Sequence, residues 1–163
     1  MNKYYIAVTR FNNQTYHNNI KYKEQNNFTG CIYGVPVKIK DDIPLNSAVF
    51  VIEMNNDLNK IEGIGLIRNM CHFDKYHRIY KNEFDLDYNR YIYKGKTHIH
   101  VSKITNDYDK KVINTLEQLL FTTSRHSKRG QGITEMPLWI RNNKYNFDFV
   151  KSLKNIFKNI QNS

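Results

Sequence analysis

The run Ala48-Val49-Phe50-Val51-Ile52-Glu53-Met54 limits what this chain can become. It is rich in β-formers and apolar on both faces, the signature of a central strand covered on both sides. Asn55-Asn56-Asp57 supplies a turn. Lys60 to Asn69 then returns with Ile61, Ile64, Leu66 and Ile67, the pattern of a hairpin partner. Gly63 and Gly65 sit inside that second strand. Glycine in a strand marks a bulge or the close approach of another backbone or a ligand.

The remaining elements arrange themselves around this hairpin. Lys3 to Arg10 reads as a first strand, broken by Asn12-Asn13-Gln14. Residues 12–29 are polar and aperiodic. They predict a long loop with room for one short helix or strand around Tyr16 to Lys23, and a loop of that length is often functional. Gly30 to Lys40 predicts a strand or strand pair, with Pro36 at an edge or bulge. Met70 to Tyr93 is aromatic and charged and predicts irregular structure that ends in a strand at Arg90 to Tyr93. Thr97 to Ile104 predicts another strand, with His98 and His100 on one face. Asn106 or Asp107 caps a helix running to Phe121, in which Val112, Leu116, Leu119 and Leu120 recur at helical spacing. Leu138-Trp139-Ile140 reads as a last short strand. Tyr145 to Ile160 is a second helix, with an apolar stripe at Val150, Leu153, Phe157 and Ile160 and a basic face at Lys151, Lys154 and Lys158 that is either solvated or in contact with phosphate.

The expected fold is α+β: one domain over residues 1–163, a small curved mixed sheet or barrel flanked by two principal helices, the C-terminal one at about 145–160.

Charge narrows the partner class. The chain carries 25 Lys and Arg against 15 Asp and Glu, a net +10 that favours a polyanion. No run approaches the roughly 20 apolar residues that span a bilayer, and Met1-Asn2-Lys3-Tyr4-Tyr5 lacks signal-peptide architecture. The expectation is an intracellular protein, cytoplasmic or nuclear and not secreted, with Cys31 and Cys71 reduced. Heavy use of Asn, Lys, Ile and Tyr fits an AT-rich coding sequence such as those of many giant viruses and some protists. The 12 Tyr are therefore weak evidence of base stacking.

No catalytic role-set assembles. GxSxG, HExxH, Walker A and GxGxxG elements are missing, and His126 is too close in sequence to Ser124 and Ser127 for a triad. Cys71, His72, His77, His98 and His100 match no structural zinc spacing. The reading is of a protein without enzymatic activity, cofactor or metal.

One window does collect binding chemistry. Ser124-Arg125-His126-Ser127-Lys128-Arg129-Gly130-Gln131-Gly132-Ile133-Thr134 follows the first helix directly. Arg125, Lys128 and Arg129 supply charge for phosphate, and Ser124, Ser127 and Thr134 supply hydroxyls. Gly130 and Gly132 let backbone N–H groups approach a ligand. Trp139, the only tryptophan, is either a stacking platform or a core residue. Asn12, Asn13 or Glu135 are candidates to read a base edge. The competing reading of the window is a charged surface loop closing a helix.

Tyr4-Tyr5-Ile6-Ala7-Val8, the strand Ala48 to Glu53, and the glycine-bearing return Lys60-Ile61-Glu62-Gly63-Ile64-Gly65-Leu66-Ile67 together resemble the core of the PUA-like superfamily, particularly its EVE and YTH branches. The resemblance covers about the first 70 residues and rests on strand order and residue types. It implies a small curved barrel flanked by helices, with the Gly63-to-Ile67 strand beside a ligand pocket, and binding of RNA or a modified base. YTH domains hold N6-methyladenine in a cage of two or three tryptophans; with Trp139 alone, a cage of that kind is missing here.

A 7-methylguanosine mRNA cap suits the same residue types. It is cationic and stacks between aromatic rings, with Glu135 or Glu53 on the guanine edge and the triphosphate on Arg125, Lys128 and Arg129. The sequence leaves cap and internal modified base both open. A rival reading makes the C-terminal helix and segment 73–93 a docking face for a protein partner, with the charge incidental.

Overall fold

The computed structural model describes residues 3–161. In chain order the elements are β1 (Tyr4–Phe11), α1 (Asn13–Gln25), β2 (Cys31–Val35), β3 (Ala48–Asn55), β4 (Lys60–Arg68), β5 (Tyr91–Gly95), β6 (Thr97–His100), α2 (Asp107–Phe121), β7 (Thr134–Glu135), α3 (Leu138–Arg141) and α4 (Phe149–Gln161).

The predicted hairpin is the centre. Every residue of β3 is buried, and β4 pairs with it antiparallel, with a register irregularity at Glu53/Met54. The mixed sheet runs β6-β4-β3-β1-β7. β1 lies parallel to β3 along its whole length, from Tyr4 opposite Ala48 to Phe11 opposite Asn55. A parallel neighbour requires a crossover, usually helical. That is why residues 13–25 form α1, longer than the one short helix or strand around Tyr16 to Lys23 for which the predicted loop left room. Its start is chemically defined. The Asn12 side chain accepts from the Thr15 N–H at 2.7 Å, and the Asn12 N–H donates to Thr15 Oγ1 at 3.0 Å, a capping box.

Side-chain alternation gives the sheet two dressed faces. Ile6, Val8, Phe50, Ile52 and Met54 face α2 and α4, where they meet Leu116, Leu120, Leu153 and Ile156. Ala7, Phe11, Val49 and Val51 face the other way, onto Cys31, Tyr33, Val35 and Tyr93. The latter belong to a separate antiparallel ribbon of β2 and β5. Ile32 and Ile92, on the ribbon's outer face, pack with Ile79 and Tyr80 beneath Tyr22 and Phe28. Asn19 of α1 is buried there and donates to the Ile32 carbonyl at 2.7 Å.

The fold is therefore α+β, with an open mixed sheet and four helices among the described residues. The expected barrel closure is not formed among the described residues, because the ribbon lies across a face of the sheet and does not join its edges. The glycines of β4 explain how closely it lies. A Cβ on Gly65 would overlap the Tyr33 hydroxyl and come within 2.6 Å of Cys31 Sγ.

Further boundaries differ from expectation, and β6 stops at His100, short of the predicted Ile104. β2 stops at Val35, before Pro36, which has no N–H for a ladder. Leu138-Trp139-Ile140 is a helical turn; the short strand is Thr134–Glu135, and the chain bends at Pro137. α4 begins at Phe149, where the Asp148 side chain accepts from the Lys151 N–H at 3.0 Å. Among the described residues no helix is long and apolar enough to cross a membrane.

Candidate functional site

The parallel register of β1 and β3 brings two chain reversals side by side: the start of α1 and the β3–β4 turn. The Asn56 N–H donates to the Phe11 carbonyl at 2.7 Å, the Asn13 N–H to Asp57 Oδ2 at 2.8 Å, and Asn55 Nδ2 to Asn13 Oδ1 at 3.0 Å. Asn55 is itself locked by the Asp57 and Leu58 N–H groups.

The basic loop docks against this junction. Arg10, at the end of β1, donates through Nε to the Ser127 carbonyl at 2.7 Å and through Nη1 to Thr134 Oγ1 at 3.0 Å. Asn56 Nδ2 donates to the Lys128 carbonyl at 2.8 Å. Gly130, at φ +122°, lies against the Arg10 guanidinium so closely that a Cβ would sit 3.1 Å from Cζ. Burial lowers the Arg10 pKa below its ordinary value, yet a guanidinium stays charged throughout the working range.

Between these parts lies a cleft of about 220 Å³. Phe11, Asn12 and Arg10 form one wall. Lys128, Gly130 and Gly132 form another. Tyr33 and Gly34 of β2, with Tyr80, Asp85 and Tyr88, complete it. Tyr80 and Tyr88 meet edge to face with centroids 6.0 Å apart. Tyr80 is buried, while Tyr88 keeps partial exposure and can offer a ring face.

Asn56 gives the cleft its polarity. Its Nδ2 must face the Lys128 carbonyl, so its Oδ1 is fixed as the remaining atom. That oxygen is buried without a hydrogen-bond partner, the only such side-chain atom among the described residues. A buried acceptor left unpaired costs about 1–3 kcal/mol, and since Asn56 lines the cleft, a side-chain shift that brought this oxygen to a ligand donor would recover that energy.

The structure divides the sequence-predicted site. Lys128, Gly130 and Asn12 line the cleft. Ser127 does not offer its hydroxyl to a surface ligand: it is buried, and its N–H donates to the Leu120 carbonyl at 2.6 Å. That bond turns the loop, so residues on either side of Ser127 face different ways. Ser124 and Arg129 are exposed and outside the cleft lining. Thr134 is tied to Arg10. Glu135 pairs with Arg141 at 3.4 Å and does not line the cleft. Asn13 gives its N–H to Asp57, accepts from Asn55 at Oδ1 and does not line the cleft. Arg125 and Trp139 lie in a different depression, the guanidinium 4.4 Å from the indole centroid, so Trp139 does not line the cleft beside Lys128.

Glu53 is also withdrawn from ligand contact. It is buried behind Gly63, accepting from the Tyr33 hydroxyl at 2.6 Å and lying 2.9 Å from His98 Nε2. Sequence reasoning missed Arg10, Asn56, Tyr33, Tyr80 and Tyr88. Only one signal pointed toward them, the cation closing an apolar strand at Arg10.

Burial pushes the Cys31 thiol up to about 12, away from a reactive thiolate. Among the described residues no cluster of His, Cys, Asp and Glu has the arrangement of a metal site.

No protein-family model matches the chain, and no curated protein or solved structure matches it.

Proposed function

We propose that this chain binds RNA without catalysing a reaction on it, holding one nucleotide in the cleft between β1, β2 and the 128–132 loop. The observation that carries the reading is Asn56, whose buried Oδ1 has no partner, in the lining of a cleft that also holds aromatic rings and a lysine. An unpaired base presents N–H donors on its edge and a π-face for stacking. Asn56 Oδ1 would accept from the edge, Tyr88 would offer the ring, and Lys128 would meet the phosphate outside.

Size favours one of the two ligands left open. At about 220 Å³ the cleft is below the roughly 300–1,000 Å³ typical of drug-sized pockets. It suits a single base better than a cap with its triphosphate. Arg125, Lys128 and Arg129 do not converge on one point, which also weakens the cap. The reading is thus of an internal base, with a modified one such as N6-methyladenosine as the leading candidate, on an open-sheet relative of the PUA-like domains.

The test is a panel of fluorescent RNAs of one sequence, plain, capped and internally methylated, with a DNA control. Preference for the internally methylated RNA, weakened by salt, is expected. Equal binding to all four, or none, would reject the reading.

A further inference from the structure

A second depression, of about 690 Å³, lies on the other side of the Ser127 turn and shares no lining residue with the cleft. Tyr108, Lys111, Val112, Thr115 and Leu119 form one stripe of α2, since residues three and four apart share a helix face. Facing them are Trp139 and Ile140 of α3, then Phe147 and Phe149, which pack edge to face at 4.8 Å.

The floor is largely apolar, and the Asn143 amide and Thr115 hydroxyl on it are already used. Asn143 Nδ2 donates to the Ile140 and Phe147 carbonyls, and Asn143 Oδ1 accepts from the Tyr145 and Phe147 N–H groups. Thr115 Oγ1 donates to the Lys111 carbonyl at 2.8 Å. A nucleobase buried here would find little to pair its edge with, which is costly. Large apolar side chains carry no such cost. Tyr108 and Tyr145 are 57% and 78% exposed, so aromatic surface extends beyond the floor.

The rim is of one sign. Lys111, Arg125 and Lys144 line it, and no carboxylate does. None of the three is in an ion pair among the described residues. A second copy of this chain would bring +10 against +10 and cation against cation, which disfavours self-association through this face. An apolar groove with a cationic rim is complementary to an amphipathic segment carrying carboxylates.

We propose that the groove between α2 and the α3–α4 segment docks an acidic amphipathic peptide segment of a partner protein. Its aliphatic or aromatic side chains enter over Val112, Leu119, Ile140 and Phe147. Its carboxylates meet Arg125, Lys111 and Lys144. Arg125 is held ready by its stack on Trp139, with the planar fork that receives a carboxylate in two parallel bonds.

Trp139 is the only tryptophan, so its emission reports the groove directly. A displayed library of random peptides is panned on the full chain, and enriched peptides are titrated by Trp139 fluorescence. Acidic peptides with large apolar residues are expected, shifting the emission and losing about tenfold in affinity on Lys111→Glu with Arg125→Glu. Lys144→Glu, at an exposed site, provides a second variant, and thermal unfolding checks that each remains folded. Lys128→Ala should leave peptide affinity unchanged. The proposal is overturned if nothing enriches, if the peptides are not acidic, if the charge reversals leave affinity intact, or if single-stranded RNA or dodecanoate displaces the peptides at equal strength.

Discussion

Arg10 reaches across 117 positions of sequence to hold the Ser127 carbonyl at 2.7 Å. Together with the Arg10–Thr134 and Asn56–Lys128 bonds, this contact fixes the basic loop to the first strand, and Lys128 and Gly130 take their places in the cleft as a result.

Arg10→Leu should therefore destabilise the fold by about 1.5–3 kcal/mol, the usual scale for losing a hydrogen bond to a charged group. Arg10→Lys keeps the charge but not the fork that serves Ser127 and Thr134 together, and should recover only part of the loss. Denaturant midpoints measure both, and RNA affinity should fall in the same order.

Gly65→Ala tests the packing of the ribbon on the sheet. The new methyl overlaps the Tyr33 hydroxyl and crowds Cys31 Sγ. Overpacking of this kind costs about 1–3 kcal/mol. A Tm equal to the parent's would mean the ribbon does not lie where it is described.

Asn12→Ala removes the side-chain half of the α1 capping box. The expected loss is about 1 kcal/mol. Asn12→Asp keeps the acceptor and should restore stability, with the thermal midpoint as the readout.

Alkaline pH should unfold the protein cooperatively. Burial is the main cause that raises Cys31 from its ordinary 9.0 to about 12, and it also raises Tyr33 and Tyr80 well above 10.0. The folded state then holds protons that the unfolded chain has released. Stability is full below pH 9, declines once the unfolded thiol ionises, and falls more steeply above pH 10 as the unfolded phenols follow. Denaturant midpoints between pH 8 and 11 should decrease, with buried phenolate absorbance appearing only as the fold is lost. A midpoint flat over that range would contradict the burial of these groups.

The sequence carried the β3–β4 hairpin and α2 plainly, because both bury wide apolar faces and so show their periods. α1 was hidden because it covers only a narrow ribbon and stays polar; its legible mark was the Asn12-to-Thr15 capping pair. The site was harder. Arg125, Lys128 and Trp139 are close in sequence, and adjacency suggested one site. The Ser127 N–H bond to the Leu120 carbonyl turns the loop between them and makes two. Arg10 and Asn56 acquire their roles only through partners more than 70 positions away, a distance that local pattern does not report.

The central claim, that RNA places a base in the cleft at Asn56, is tested most directly by photo-crosslinking. RNA carrying 4-thiouridine, or a photoreactive adenine, is irradiated with the protein and the attached peptides are mapped. Crosslinks at Phe11, Tyr80, Tyr88 or Lys128, lost on Lys128→Glu, are the predicted result. Crosslinks confined to the α4 lysines or to Trp139, with the cleft residues untouched, would contradict it.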